Sequence, residues 1–330
     1  MIKISIGKNE AGQSLYKLLV KRMDKAPKSF IYKMLRKKNI ELNGKKTDGS
    51  VILKEGDEVS LFLSDETVSK FTSQKNIPTG GKTPVRTLKI IYEDDNILIA
   101  DKPQGILSQR SAPGDDSMND RIISYLISEG KLKRDDMLTF RPSICNRLDR
   151  NTSGLITFGK TLPALQILNS AFSSRSLKKY YVCVVKGIVD APRHCEAYLK
   201  KDEGTNKVTV TEAPKKAAAG RDKDYELIKT EYEPLSHGKD MTLLRVKLIT
   251  GRSHQIRAHL AMLGHPVAGD PKYGDSELNK RLRERFNIRN QMLYSYELTL
   301  PEDMPEPLSY LSGRTFKGEM PEIYKRLTRL

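Results

Sequence analysis

The chain has 330 residues, enough for about two domains with packed cores. Its 58 Lys and Arg against 41 Asp and Glu give a net charge of +17, which favours an acidic partner such as nucleic acid. Three cysteines without a C-x-x-C pair exclude a disulfide framework and a cysteine-rich zinc site. Neither a signal peptide nor a membrane-spanning apolar run is present, so we expect a cytoplasmic protein without a membrane partner.

Residues 1–65 are the first predicted domain, with 14 basic and 8 acidic side chains. Ser29 is a candidate N-cap for a helix over Phe30–Lys38, whose apolar stripe leaves its basic residues on another face. The strand-like I-E-L then runs into Asn43-Gly44, the preferred dipeptide of a tight hairpin turn. The pattern predicts two helices that lead into a small sheet.

This basic helix, the I-E-L-N-G-K-K strand and turn and the E-G-D-E-V ending resemble the S4 RNA-binding domain over residues 12–64. The resemblance implies RNA binding through the cations of the helix, which are Lys33, Arg36, Lys37 and Lys38. The alternative is a solvated basic helix without a ligand. Residues 66–85 are polar, rich in Gly and Pro, and without apolar periodicity, so they are predicted to be a flexible linker.

Residues 86–330 are the second predicted domain, in which short strand-like runs alternate with helical patterns. Its first motif is I-C-N-R-L-D-R-N-T-S-G-L, which starts at Ile144 and places Asp149 between Arg147 and Arg150. Arginines close to a carboxylate favour its ionised form, which acts as a nucleophile or base. An isolated R-L-D would more often be a surface loop, but here the whole twelve-residue string needs an explanation.

The second motif is a strand, K-K-Y-Y-V-C-V-V-K-G from Lys178, whose alternation separates Tyr181 from Tyr180 onto opposite faces. The third is the helix after Thr250, with Ser253 as a candidate cap and with His254 and Arg257 on one face. The two could point at a common anion. His254 and His259 are five residues apart, which is wrong for a helical zinc site, so no metal is expected.

In order and spacing, the three motifs resemble those of the RluA-type pseudouridine synthases, in the branch that includes RluC and RluD. The resemblance spans residues 86–300. It implies an α+β fold with a mixed, mainly antiparallel sheet, flanking helices and a basic cleft. It also implies conversion of uridine to pseudouridine without a cofactor. The implied catalytic residues are Asp149 as the nucleophilic carboxylate, Tyr181 against the base and Arg257 as the partner of the carboxylate. The implied RNA contacts are Arg147, Arg150, Lys179, Arg252 and His254.

The resemblance further implies an RNA substrate, with large-subunit ribosomal RNA favoured over transfer RNA, and no obligate protein partner. Two positions depart from the family pattern: Asn146 and Tyr294 replace histidines. Two alternatives remain open, a catalytically silent RNA-binding or ribosome-assembly factor and a carboxylate-using hydrolase. The hydrolase would need a second catalytic carboxylate nearby. The last thirty residues contain four prolines and are predicted to be a surface tail with one short helix.

Overall fold

The computed structural model describes residues 1–72, 88–202, 204–212 and 225–328. Its helices are α1 Leu15–Arg22, α2 Lys28–Arg36, α3 Asp65–Phe71, α4 Met118–Ser128, α5 Leu162–Ser174, α6 Gln255–Met262, α7 Ser276–Phe286 and α8 Glu322–Leu327. Its strands are β1 Ile2–Ser5, β2 Ile40–Leu42, β3 Lys45–Lys46, β4 Glu58–Leu61, β5 Lys89–Glu93, β6 Ile97–Lys102, β7 Ser143–Ile144, β8 Ser153–Gly159, β9 Lys178–Lys186, β10 Arg193–Asp202, β11 Lys207–Thr211, β12 Tyr225–His237, β13 Met241–Leu248, β14 Leu293–Thr299 and β15 Thr315–Lys317.

The N-terminal part contains an antiparallel sheet in the order β1-β4-β2-β3, against which α1 and α2 pack. The predicted hairpin is present. Asn43 and Gly44 both have positive φ, 52° and 70°, as a two-residue turn between β2 and β3 requires. Apolar side chains from both helices and three of the strands form one core here.

Two expectations for this part are wrong. Helix α2 begins at Lys28 rather than after Ser29, because Pro27 precedes it with a backbone already fixed near helical φ, and the carbonyl of Pro27 accepts from Ile31. The first residues of the predicted linker form α3 instead. Ser64 caps that helix, and Val68 is buried in the N-terminal core. The rest of the linker, residues 73–85, lies outside the described residues.

The second part is built on a larger sheet in the order β11-β10-β12-β13-β9-β14-β8-β6-β5, with β15 beside β14 and β7 beside β8. In the described part of the chain, β14 and β8 are the one parallel pair. The expected mixed, mainly antiparallel sheet with flanking helices is confirmed.

The side chains of β9 alternate between the two faces of the large sheet, as the sequence predicted. Tyr181 and Cys183 point into a core with α4 and α6, which we call the front face. Val182 and Val184 point into a core with α7 and α8, the back face. Helices cover both faces of the sheet here, which explains why the sequence of β9 is almost continuously apolar.

The C-terminal residues are not a surface tail. Leu308, Leu311 and Phe316 are buried against α5 and β8, and Tyr324 and Leu327 of α8 are buried on the back face. The prolines limit regular structure in this segment, but they do not prevent its apolar side chains from filling the core.

The two parts touch through the loop that follows β1. The Thr139 hydroxyl donates to Glu10 Oε1 at 2.6 Å, and the backbone N–H of Leu162 donates to Asn9 Oδ1 at 2.9 Å. Glu10 and Thr139 are both buried. Among the described helices, none is long and apolar enough to cross a membrane.

Candidate active site

Asp149 lies in the loop between β7 and β8, and hydrogen bonds fix the backbone of the residue on each side of it. Ser108 Oγ accepts from the Leu148 N–H at 2.9 Å and donates to the Leu148 carbonyl at 2.8 Å. The Arg150 carbonyl accepts from Lys102 Nζ at 2.8 Å and from the Gly105 N–H at 3.0 Å. The Asp149 side chain keeps 28% of its surface exposed, so a solvent-facing carboxylate stands on a fixed loop.

Lys102 lies under this loop and is fully buried. Burial lowers the pKa of Lys102 to about 7, while the negative charge of Asp149 acts in the opposite direction. Its Nζ donates to three carbonyls, those of Pro103, Ile106 and Arg150. An ammonium has three N–H donors and a neutral amine only two, so these acceptors suit the charged form. Lys102 joins two loops beneath Asp149.

Arg257, in the first turn of α6, forms the expected ion pair with Asp149. Its Nη1 lies 2.7 Å from Asp149 Oδ2, and its side chain is only 5% exposed. Burial by itself lowers the pKa of Arg257, but the hydrogen bonds and charges of Asp270 and Asp149 raise it overall above the ordinary arginine value. Arg257 is therefore a permanent cation, buried behind the exposed carboxylate.

Asp270 is a second carboxylate on the same guanidinium. It accepts from Arg257 Nε at 2.6 Å and from Nη2 at 2.9 Å, and also from the backbone N–H groups of Lys272 and Tyr273. Burial raises the pKa of Asp270, but these bonds more than offset burial and hold it below the usual range. Its side chain has no exposed surface. Asp270 thus fixes Arg257 and is unavailable to a substrate.

His254 also faces Asp149, with Nε2 at 4.0 Å from Oδ1. The prediction that Ser253 caps α6 is wrong. The N-cap is His254, in a left-handed conformation with φ 54°, and it directs its ring Nδ1 to the Tyr273 hydroxyl at 2.9 Å. Burial lowers the pKa of His254, against the opposing effect of Asp149. The expected convergence of His254 and Arg257 on one anion is nevertheless present.

Tyr181 reaches the same region from β9 on the front face and is 8% exposed. Burial raises the pKa of Tyr181 to about 12, and the charge of Asp149 adds to this rise, so the phenol is neutral near pH 7. Lys179 lies two residues earlier on the same face, with Nζ near Gly251 at the start of the α6 loop. Burial lowers the pKa of Lys179.

The remaining predicted RNA contacts are distributed unevenly. Arg147 and Arg150 are exposed on either side of Asp149. Arg252 is exposed but pairs with Glu226 at 2.9 Å, so an RNA phosphate would have to compete with that carboxylate. The four cations predicted for the basic helix are exposed in the N-terminal part and do not belong to this site: Lys33, Arg36, Lys37 and Lys38. Helix α2 ends at Arg36 rather than at the expected Lys38, because Lys37 is its C-cap and Lys38 has a positive φ of 59°.

Both departures from the motif pattern have structural roles. The Asn146 side-chain amide donates to the Leu155 carbonyl at 3.1 Å and accepts from the Thr157 N–H at 2.8 Å, which ties the Asp149 loop to β8. Tyr294 is buried on the back face and donates to Asp101 at 2.8 Å. Neither contact requires a titrating histidine.

Sequence reasoning missed Asp270, Tyr273, Lys102 and Ser108 as parts of this site. The signal that could have drawn attention to Asp270 is its place in the G-D-P-K-Y-G string, directly after the turn that ends α6. Over the described ranges, no group of three or more His, Cys, Asp or Glu side chains is arranged to hold a metal ion. His259 is fully buried beside Thr230, and burial lowers its pKa to about 4.

Comparison with known proteins decides the family. Residues 96–262, half of the chain, match the family described as RNA pseudouridylate synthase. The chain belongs to this family. An uncharacterized RNA pseudouridine synthase of Mycoplasma genitalium is 32% identical over 91% of this chain and 89% of its own length. The ribosomal large subunit pseudouridine synthase C of Vibrio cholerae is 30% identical over 88% and 86%.

A solved human structure, RNA Pseudouridylate Synthase Domain Containing 4, matches with a TM-score of 0.55 at 19% identity, over 72% of this chain and 92% of the human chain. This likeness supports the fold. Family membership confirms the predicted enzyme class, so a catalytically silent RNA-binding factor is not favoured. The hydrolase alternative assumed a free second carboxylate. Asp270 is close to Asp149, but it is enclosed and fully bonded to Arg257 and backbone N–H groups.

Proposed function

We propose that this pseudouridine synthase isomerises uridine in large-subunit ribosomal RNA, with Asp149, Tyr181 and Arg257 as its catalytic residues. The observation that carries the proposal is the ion pair between a buried Arg257 and a part-exposed Asp149 at 2.7 Å. The Vibrio cholerae relative, which is named for the large ribosomal subunit, supports the choice of RNA.

The reaction breaks the N1–C1′ bond of uridine, turns the uracil and joins C5 to C1′, with loss of the C5 proton. In the proposed mechanism Asp149 supplies the nucleophilic carboxylate, and Arg257 pairs with that carboxylate and orients it. The neutral Tyr181 phenol is suited to stack on the uracil and to hydrogen-bond during proton removal from C5.

The target uridine has to leave its helix to reach Asp149, which costs a few kcal/mol. We propose that Arg147, which is exposed two residues before Asp149, fills the space that the base leaves. The other proposed RNA contacts are Arg150, Lys179, Arg252 and His254 in the second part and Lys33, Arg36, Lys37 and Lys38 on the N-terminal part. Contacts of this kind hold phosphates and give salt-dependent affinity without reading sequence.

The test is a map of pseudouridines in ribosomal and transfer RNA from a strain that lacks the gene. We expect one or more large-subunit positions to stay uridine, to be restored by the wild-type gene and not by Asp149→Asn. A full set of pseudouridines in the large subunit would contradict the proposed substrate. Loss of pseudouridine from transfer RNA alone would show that transfer RNA is the substrate, and the enzyme class would be unchanged.

A further inference from the structure

The N-terminal part carries an aromatic surface that its predicted basic helix did not suggest. Tyr32 of α2 is 46% exposed, and its ring stacks on that of Tyr16 in α1, with centroids 5.0 Å apart and planes 13° apart. Tyr16 supports one side of the Tyr32 ring, so little side-chain entropy remains to be lost when a ligand covers the exposed surface. A pre-ordered, exposed ring of this kind suits stacking of a flat ligand.

Tyr32 lies in a groove of about 1150 Å³ between α2 and the β2–β3 hairpin. Arg36 lines the groove one helical turn after Tyr32, and Lys45 and Lys46 line it from β3. Leu42 and Val51 add apolar surface. The groove therefore combines an aromatic ring with cations on both of its sides.

The three cations are available to a ligand. In the part of the chain that the structure describes, neither Arg36 nor Lys45 nor Lys46 takes part in an ion pair, and Lys45 and Lys46 are exposed. The acidic residue of the groove, Asp48, accepts hydrogen bonds from the backbone N–H and the hydroxyl of Ser50. The groove carries a surplus of positive charge that complements phosphate.

We propose that this groove binds unpaired nucleotides of the RNA substrate, with a base on the Tyr32 ring and phosphates on Arg36, Lys45 and Lys46. Rings and cations together are the chemistry that holds single-stranded nucleic acid. A base inside a duplex is covered by its neighbours and cannot present its face to Tyr32. The inference relies on the RNA substrate proposed above, but the groove shares no lining residue with the Asp149 site.

The test measures binding of full-length protein to two RNAs, a hairpin with an unpaired loop that carries a fluorescent adenine analogue and a fully paired duplex of the same stem. Tyr32→Leu is expected to weaken hairpin binding by about tenfold or more and to remove the fluorescence change that stacking causes. Tyr32→Phe keeps the ring and should bind like wild type. Phe62→Leu, a change at another exposed ring of the N-terminal part, is the matched control and should bind the hairpin normally.

Equal weakening on hairpin and duplex, or normal hairpin binding by Tyr32→Leu, would overturn the proposal. So would weak hairpin binding by Tyr32→Phe, because the ring would then not be the binding element. A Lys45→Ala/Lys46→Ala variant should lower the salt dependence of hairpin binding by about 0.7 in log–log slope for each phosphate that these lysines neutralise. Binding is read without turnover, so a failure of the proposed isomerase activity would leave this test intact, and the reverse also holds.

Discussion

Arg257 is the residue on which the candidate site depends, because its single guanidinium serves two carboxylates with different exposure. Asp270 takes Nε and Nη2 in a buried, two-point bond, which leaves Nη1 for Asp149. Bidentate bonds fix the plane of a guanidinium as well as its position. Asp270 therefore orients Arg257, and through it Asp149, without touching a substrate.

Replacing Asp270 with Asn tests this positioning role. The amide keeps the size of the side chain but removes the charge that orients Arg257, so we expect kcat to fall by about tenfold or more while KM changes little. Breaking one partner of a buried pair also costs about 3–5 kcal/mol of stability. Steady-state kinetics on folded protein, checked by thermal unfolding, measure both effects.

Glu93→Gln is the control, because it breaks a partly buried ion pair away from the site, with Lys160 at 2.9 Å and side chains 13% and 10% exposed. It should lower stability and leave kcat unchanged. If Asp270→Asn behaved like Glu93→Gln, with reduced stability and a normal kcat, the positioning role would be refuted.

Among single residues, the sequence predicted those site residues that lie within a short motif. Asp149 and Arg257 stand in separate motifs, and their ion pair follows once both motifs are assigned to one site. Asp270 was missed because a buried Asp and an exposed Asp look alike in a loop, and the G-D-P-K-Y-G string marks its position but not its partner. Its partner is fixed by the turn after α6, which local patterns do not describe.

For helices and strands, prediction succeeded where a sequence pattern is compatible with only one structure. The alternation of β9 predicted its two faces because each face meets a separate core. Helix starts were less certain, since Ser29 and Ser253 are plausible caps that Pro27 and His254 displaced. The C-terminal segment was wrongly predicted to be a surface tail. Its proline content argues against long helices and strands, but it does not determine whether the side chains are buried.

Leu327→Ala tests whether the C-terminal helix α8 belongs to the core. Leu327 is fully buried on the back face, so the change should lower the free energy of unfolding by about 2–5 kcal/mol. Urea unfolding measures the difference. Leu235, 49% exposed on β12, supplies the control, since Leu235→Ala should stay within about 0.5 kcal/mol of wild type. Equal stabilities of the two variants would show α8 to be peripheral.

For the whole molecule, the net charge of +17 is shared between the N-terminal part and the second part, which contains Asp149. The N-terminal part contacts the second part through Asn9 and Glu10, and both residues lie on the loop after β1. Among the described residues, none of those that bond to Asp149 comes from residues 1–72. We therefore expect this part to raise the local concentration of RNA and to leave the chemistry alone.

Deleting residues 1–72 should weaken binding to structured RNA and flatten its dependence on salt, because fewer phosphates are then neutralised. Turnover at saturating RNA should be nearly unchanged. Binding across a salt series, together with kcat, measures both quantities. A truncated enzyme that binds normally but no longer turns over would place the N-terminal part in the active site.

If the Asp149 carboxylate performs the isomerisation, release of tritium from RNA carrying C5-tritiated uridine requires that carboxylate. Asp149→Asn keeps the size of the side chain, so the variant should fold and bind RNA like wild type. We expect no tritium release from this variant, while wild-type protein releases tritium. Release by Asp149→Asn at a rate close to wild type would show that the carboxylate is not the catalytic group.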